Sequence, residues 1–205
     1  MSRRPFHRAT EAERKRDLIE ATLDCIATFG LQGATVRQIA IRAGVTGGLI
    51  RHYFITKNLM IEEAYRLTIS TMTEKAEAVT GDPQTRLRRF IVVNLTEPVA
   101  NGRSLSLWAS FVSQVRVDPA MAEIHREGYL GFRNALEGLL SDYLDHAGQD
   151  ASAERCRRLA IAINALLDGL WLEGCLAGEL FDVGELIDIA LISIERLIDL
   201  PLGRE

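Results

Sequence analysis

Residues 34–59 read ATVRQIAIRAGVTGGLIRHYFITKNL, and the fold turns on this stretch. Thr35 precedes a segment in which Val36, Ile39 and Ala40 share one helical side, and Gln38 stands three residues after it. That spacing predicts a capping box, in which a threonine hydroxyl and a glutamine side chain satisfy each other's free backbone N–H groups. Gly44 suits the turn, because glycine accepts the left-handed conformation that ends helices. Val45 can pack beneath the turn, and Thr46 can cap a second short helix running to Tyr53 or Phe54. Two short helices joined through Ala43–Gly44–Val45–Thr46 have helix-turn-helix spacing. One such helix fits the major groove while the other braces it against the backbone. Any compact helical protein can hold a tight turn, so the reading needs chemical support. The polar run Arg51, His52, Tyr53 supplies part of it.

Outward from this stretch, helical periodicity covers most of the chain. A first helix is expected over about 11–29, with Leu18, Thr22, Cys25, Ile26 and Phe29 on its inner stripe and Gly30 at its end. A fourth, capped by Thr56, is expected over 57–78. The Thr80–Pro83 break, Pro98, the Asn101–Gly102 turn and Asp118–Pro119 separate helices over 84–96, 104–115 and 120–146. After a polar linker at 148–152, two last helices are expected over 153–177 and 183–200. In the final one Leu186, Ile187, Ala190, Leu191, Ile194, Leu197 and Ile198 make a broad apolar face. The fold class is therefore all-α, with a three-helix head over 1–56 and a larger helical body over 57–205.

The 205 residues are 47% hydrophobic, enough for a core without staples. The net charge of -4 conceals a division: residues 1–60 carry ten Lys/Arg against five Asp/Glu, and the remainder carries fourteen against twenty-three. A basic head on an acidic body suits a protein that offers one end to a polyanion. The three cysteines, Cys25, Cys156 and Cys175, fit neither a disulfide framework nor a metal cluster and read as small buried apolar groups. The most apolar region, 159–180, is interrupted by Asp168, Glu173 and Glu179, which argues against a membrane span. Arg3 and Arg4 have no apolar stretch behind them, so no signal peptide is expected and the cytoplasm is the expected compartment.

The 34–59 stretch resembles the tetracycline-repressor family, whose members share the threonine-capped second helix, the Ala–Gly–Val turn, and an aromatic helix end followed by a lysine. The resemblance implies a homodimer that represses transcription and releases duplex DNA when a small ligand binds. It implies that Thr46 and Lys57 meet phosphate, that Gly47 and Gly48 allow close approach to DNA, and that His52 and Tyr53 contact the backbone. Thr35 and Arg37 are the corresponding contacts from the bracing helix. Arg51 is the candidate base reader, since its fork can address guanine O6 and N7, with a phosphate clamp or a solvated side chain as the alternative. Arg3, Arg4 and Arg8 form a candidate arm or a solubilising tail. The last two helices are the implied dimer interface, against the alternative of a wholly intrachain core.

The body resembles the choline-responsive branch of that family, the repressors of glycine-betaine synthesis genes, through Trp108-Ala-Ser-Phe and Asp168-Gly-Leu-Trp-Leu. Trp108, Phe111, Tyr129 and Trp171 could line an aromatic pocket, with Asp168 or Glu173 supplying charge. Such a site suits first an unspecified small organic effector, with a quaternary ammonium as the narrower reading, through cation–π attraction and an anionic counterweight. Val112 stands where those repressors carry a second tryptophan, so the cage is altered. The same aromatics could simply pack a core. An enzyme is the contrasting class, but neither His125 nor His146 belongs to a recognisable nucleophile or metal motif. No catalytic residue, metal or cofactor is expected. A helical partner-binding protein is the remaining alternative, and it leaves the basic head unexplained.

Overall fold

The computed structural model describes residues 10–77, 80–177 and 179–203. The candidate arm of Arg3, Arg4 and Arg8 lies outside the described residues, as does Ala78 at the end of the fourth expected helix. Among the described residues the chain forms nine helices: α1 (Glu11–Gly33), α2 (Val36–Ala43), α3 (Gly47–Tyr53), α4 (Lys57–Glu77), α5 (Pro83–Asn94), α6 (Gly102–Val112), α7 (Pro119–His146), α8 (Ala153–Ala177) and α9 (Val183–Ile198).

Side-chain caps fix where most of them start. Thr10 and Glu13 form a capping box at α1, as Thr35 and Gln38 do at α2. Thr46 accepts from the Leu49 N–H at α3 and Thr56 from the Leu59 N–H at α4. Asp82, Asn101 and Asp118 cap α5, α6 and α7. Pro83 and Pro119 occupy first turns, where the missing N–H has no helical partner to lose. The Asn101 cap begins α6 two residues before the expected Ser104. The chain leaves that helix after Val112 rather than Val115. Asp199, at φ 56°, ends α9 just short of the expected Leu200. Gly30, at φ 68°, interrupts α1 as expected, but one further turn follows before Ala34 donates back to the Gly30 carbonyl at 3.0 Å.

Two apolar cores result. In the body, Phe90 and Ile91 of α5 meet Leu136 and Leu140 of α7, Ile163 of α8 and Ile194 of α9. In the head, Leu18 and Ile26 of α1, Ile39 of α2, Ile50 of α3 and Met60 of α4 close on one another. This second cluster also takes in Leu107 and Phe111 of α6 and Met121 and Ile124 of α7. Packing therefore crosses the expected division at residue 56. Cys25 and Cys156 are buried free thiols and Cys175 is half-buried.

α8 is long and apolar enough, by composition, to cross a bilayer. Cys156, Ala160, Ile163, Leu167 and Trp171 turn one side of it into the core. Ile161, Leu172 and Leu176 stay exposed on another side. In α9 most of the expected apolar face (Leu186, Ala190, Leu191, Ile194, Ile198) fills the chain's own core, and Ile189, Ile192 and Leu197 remain outside.

Gly44 sits at φ 66° between α2 and α3, and nothing lies within 4 Å of where its Cβ would stand. The cost of Gly44→Ala is then conformational rather than steric, about 1–2 kcal/mol for a side chain held in the left-handed region. A urea titration should give a lower midpoint at unchanged slope.

Candidate nucleic-acid interface and aromatic pocket

α3 has one buried side chain, Ile50, and the following Phe54 anchors its end in the head core. With those two turned inward, Thr46, Gly48, Arg51 and His52 are exposed and Tyr53 is half-buried against the apolar cluster. The His52 and Tyr53 rings meet edge to face, with centroids 5.3 Å apart. Thr35 and Arg37 are exposed at the start of α2. Neither Arg37 nor Arg51 forms an ion pair among the described residues. Both Thr35 and Thr46 hydroxyls already serve as helix caps.

Lys57 is placed differently from a free surface lysine. Its Nζ donates to the Leu31 carbonyl at 3.0 Å, beside the interruption at Gly30. An ammonium has three donors, so this bond ties the start of α4 to the end of α1 and leaves two N–H groups over. Gly47 and Gly48 are not demanded by the fold: a Cβ at 47 meets nothing within 4 Å, and one at 48 makes only ordinary contact with Thr46 Oγ1 at 3.7 Å.

In the body the expected pocket residues fall into two groups. Trp108 of α6 and Trp171 of α8 meet edge to face at 5.9 Å. Trp171 is 8% exposed, with its Nε1 donating to the Val99 carbonyl at 3.0 Å, whereas Trp108 is 41% exposed. The second group is a column of rings: Phe111 of α6 stacks on Tyr65 of α4 at 4.5 Å, Tyr65 faces His125 of α7 at 6.4 Å, and His125 faces Tyr129 at 6.3 Å. Phe111 is wholly buried, so it supports the site from the seam between head and body. Tyr129 is 40% exposed and carries the Arg133 guanidinium 5.5 Å from its ring centroid. No ring contact joins the two groups among the described residues.

Asp168 stands beside the column, and its Oδ2 accepts from the buried Asn164 amide at 2.9 Å. Burial pushes its carboxyl above the ordinary range, although the Asn164 bond and the His125 ring pull the other way. Asp168 is nevertheless open to solvent. Asp168 is thus accessible on one side and crowded by protein on the other. Tyr65 and His125 share a 2.7 Å hydrogen bond between the phenol oxygen and Nδ1, and burial pushes the phenol up to about 12. Tyr65 therefore keeps its proton, and when it donates to Nδ1 the neutral ring carries its own proton on Nε2. A separate cleft of about 340 Å³ opens between α4 and α7, with Arg66, Ser70, Ile124 and Glu127 among its lining. None of the expected pocket residues lines that cleft.

Sequence reasoning missed Tyr65, His125 and Asn164. The available signal was a polar or ionisable group interrupting an apolar stripe on each of three helices. Such groups need partners when buried, and all three partner within the site, Tyr65 with His125 and Asn164 with Asp168.

Residues 18–64 match the family described as bacterial regulatory proteins, tetR family, and residues 83–199 match the C-terminal part of the BetI-type transcriptional repressors. The chain is 31% identical over 193 residues to the HTH-type transcriptional regulator BetI of Paraburkholderia phytofirmans, covering 89% of this chain and 95% of that one. A solved structure of a transcriptional regulator from Pseudomonas aeruginosa PAO1 superposes with a TM-score of 0.82 at 30% identity, covering 95% of each chain. A regulator from Saccharomonospora viridis, solved in complex with choline, has the same fold, with a TM-score of 0.76 at 20% identity over 90% of this chain and 97% of that one.

The two basic side chains of the head should separate by experiment. Arg51→Ala is expected to relax base preference at one position of a bound site, at about 1–3 kcal/mol. Lys57→Ala should weaken specific and non-specific duplexes alike and lower the salt slope by about one phosphate contact. A melting curve belongs beside the Lys57→Ala titration, because that variant also loses the Leu31 bond.

Proposed function

The chain belongs to the tetR family of bacterial regulatory proteins, in its BetI-type branch, and from that premise we propose how this DNA-binding, ligand-responsive transcriptional repressor works. It is a cytoplasmic homodimer whose two heads hold a palindromic operator and release it when a small organic cation enters the recess beside Asp168. Regulation of transcription is not catalysis, so His125 and Asp168 are read as recognition chemistry and not as an acid–base centre.

The observation that carries the cationic reading is Asp168. An unpaired carboxylate in a recess is costly, and burial already disfavours its charge. A cation in the recess supplies the missing counter-charge, and the exposed faces of Trp108 and Tyr129 supply cation–π attraction. Choline in the S. viridis regulator supports a quaternary ammonium as the first class to try. Val112, in place of a second tryptophan, favours a cation of altered bulk over choline itself.

Dimerisation is supported by the apolar surface left on α8 and α9. Ile161, Leu172 and Leu176 with Ile189, Ile192 and Leu197 give two adjacent helices an uncovered apolar side. Pairing the same patch about a two-fold axis buries it in a four-helix bundle. Such a dimer presents two copies of α3, with Arg51, His52, Tyr53 and Lys57 at each, to half-sites one turn or a small multiple of turns apart. Thr35, Arg37 and Thr46 then lie along the sugar–phosphate backbone, and Gly47 and Gly48 let the α3 backbone approach it closely.

Selection from a random duplex library is expected to return a palindrome, and enrichment no better than for non-specific DNA overturns the two-headed reading. For the pocket, Asp168→Asn should weaken binding of a quaternary ammonium series by about tenfold or more, the equivalent of ~1.4 kcal/mol. Ligand-free operator affinity should stay within about twofold, since Asp168 lies on α8 and its hydrogen bond is to Asn164 of the same helix. Because burial raises the Asp168 carboxyl, wild-type affinity for the cation should fade on acidification at a higher pH than an ordinary aspartate allows. Equal binding by wild type and Asp168→Asn removes the counter-charge from the mechanism.

A further inference from the structure

α6 meets different neighbours on its two sides. Arg103, Leu107 and Phe111 recur every fourth residue and face the head, where Leu107 and Phe111 are buried in its apolar cluster. Trp108 belongs to the other side and touches Trp171 of α8. At the start of α6, Arg103 reaches α1: its Nε and Nη2 donate to Asp24 Oδ1 at 3.3 and 3.0 Å, and Nη2 also approaches Glu20 Oε2 at 3.4 Å. The second Asp24 oxygen is taken by α2, with Arg42 Nε and Nη2 donating to Oδ2 at 3.0 and 2.8 Å. One carboxylate thus holds a guanidinium from the body and another from the helix that braces α3. Burial works to raise the Asp24 carboxyl, but the two arginines win and hold it below the usual range.

We propose that Arg103, acting through Asp24 and Arg42, is the positioning residue that sets the angle of the DNA-reading head on the body. Apolar packing between α1 and α6 is strong but without direction, so it tolerates a small slide or rock of one helix on the other. A planar fork that places two nitrogens on one carboxylate oxygen is directional and fixes register. Its net contribution to stability is small, because both partners are partly exposed. Its effect is to narrow the range of head angles. Since the same α6 carries Trp108, a displacement at the tryptophan pair is transmitted to α1 and α2 through Arg103. This link to the pocket rests on the pocket proposed above, whereas the hold on the head does not.

The test uses the full chain without DNA or effector. Spin labels on Ile41→Cys in α2 and Glu154→Cys in α8, with Cys175→Ser and dilution by unlabelled chain, report the head-to-body distance within one protomer. Arg103→Gln should widen that distribution about twofold while melting stays nearly unchanged, as expected for an exposed pair. Arg103→Lys, which keeps the charge and loses the fork, should widen it as well. On a selected operator, moving the half-sites by one base pair should cost wild type about tenfold or more and Arg103→Gln only about threefold, with base preference unaltered. An unwidened distribution in both variants overturns the proposal. If wild type selects no spaced site, the two-headed reading fails, and the spin-label widths alone decide the role of Arg103.

Discussion

The stack of Phe111 on Tyr65, 4.5 Å apart and both buried, marks the constraint from which the rest of the structure follows. Helices α1 to α3 do not enclose their apolar faces by themselves. They close on Met60 and Ala64 of α4, then on Leu107 and Phe111 of α6 and Met121 and Ile124 of α7. A small three-helix head with an independent core would swing freely on a linker. Here it borrows part of its core from the body, so a change in how α6 or α7 sits cannot leave the head where it was. Close-packed interiors transmit such shifts because they do not deform continuously.

The caps and the turn were legible because their chemistry is local. Thr35 with Gln38, Gly44, Thr46 and Thr56 act on N–H and C=O groups within a few residues, and a sequence displays those neighbours directly. The ends of α5 and α6 were less legible, since Asp82 and Asn101 compete with nearby residues as caps and only the surrounding packing selects between them. The aromatic residues of the body were legible as a set but not as an arrangement. Trp108 and Phe111 are three residues apart on one helix, yet one reaches α8 and the other is sealed against α4. Periodicity assigns a residue to a side of its helix and says nothing of which neighbour that side meets. For the same reason Tyr65 and His125, sixty residues apart, and Asp24 and Arg103, seventy-nine apart, had no signal in sequence that joined them.

α8 satisfies two demands that conflict in a lone helix. One side belongs to the body core and another carries the exposed Ile161, Leu172 and Leu176, the side that the proposed dimer would cover. Asp168 lies one turn from the buried Asn164, at the edge between these sides, where a polar group remains reachable from solvent and is still crowded by protein. A carboxylate in the buried stripe would protonate, and one on the open face would be solvated and indifferent to a ligand. At the edge burial disfavours its charge while solvent and ligands can still reach it. That is the condition under which a cation gains most by arriving.

Gly47 and Gly48 show the same logic at the other end of the molecule. Opening a short helix with two glycines weakens it, by up to about 1 kcal/mol at each position relative to alanine. Nothing inside the protein repays this: neither glycine has the positive φ that would require it, and side chains would fit at both. A local cost without an internal return indicates a constraint imposed from outside. The surface that α3 presents, flanked by the exposed Arg51 and His52, is where a phosphate backbone would impose it. If α3 meets DNA as proposed, the head sacrifices helix stability there and recovers order from the body through the shared core. An effector need not break any contact to DNA. In the proposed dimer it need only prefer a body geometry in which the two heads, each bound to its own body, no longer match the separation of their half-sites.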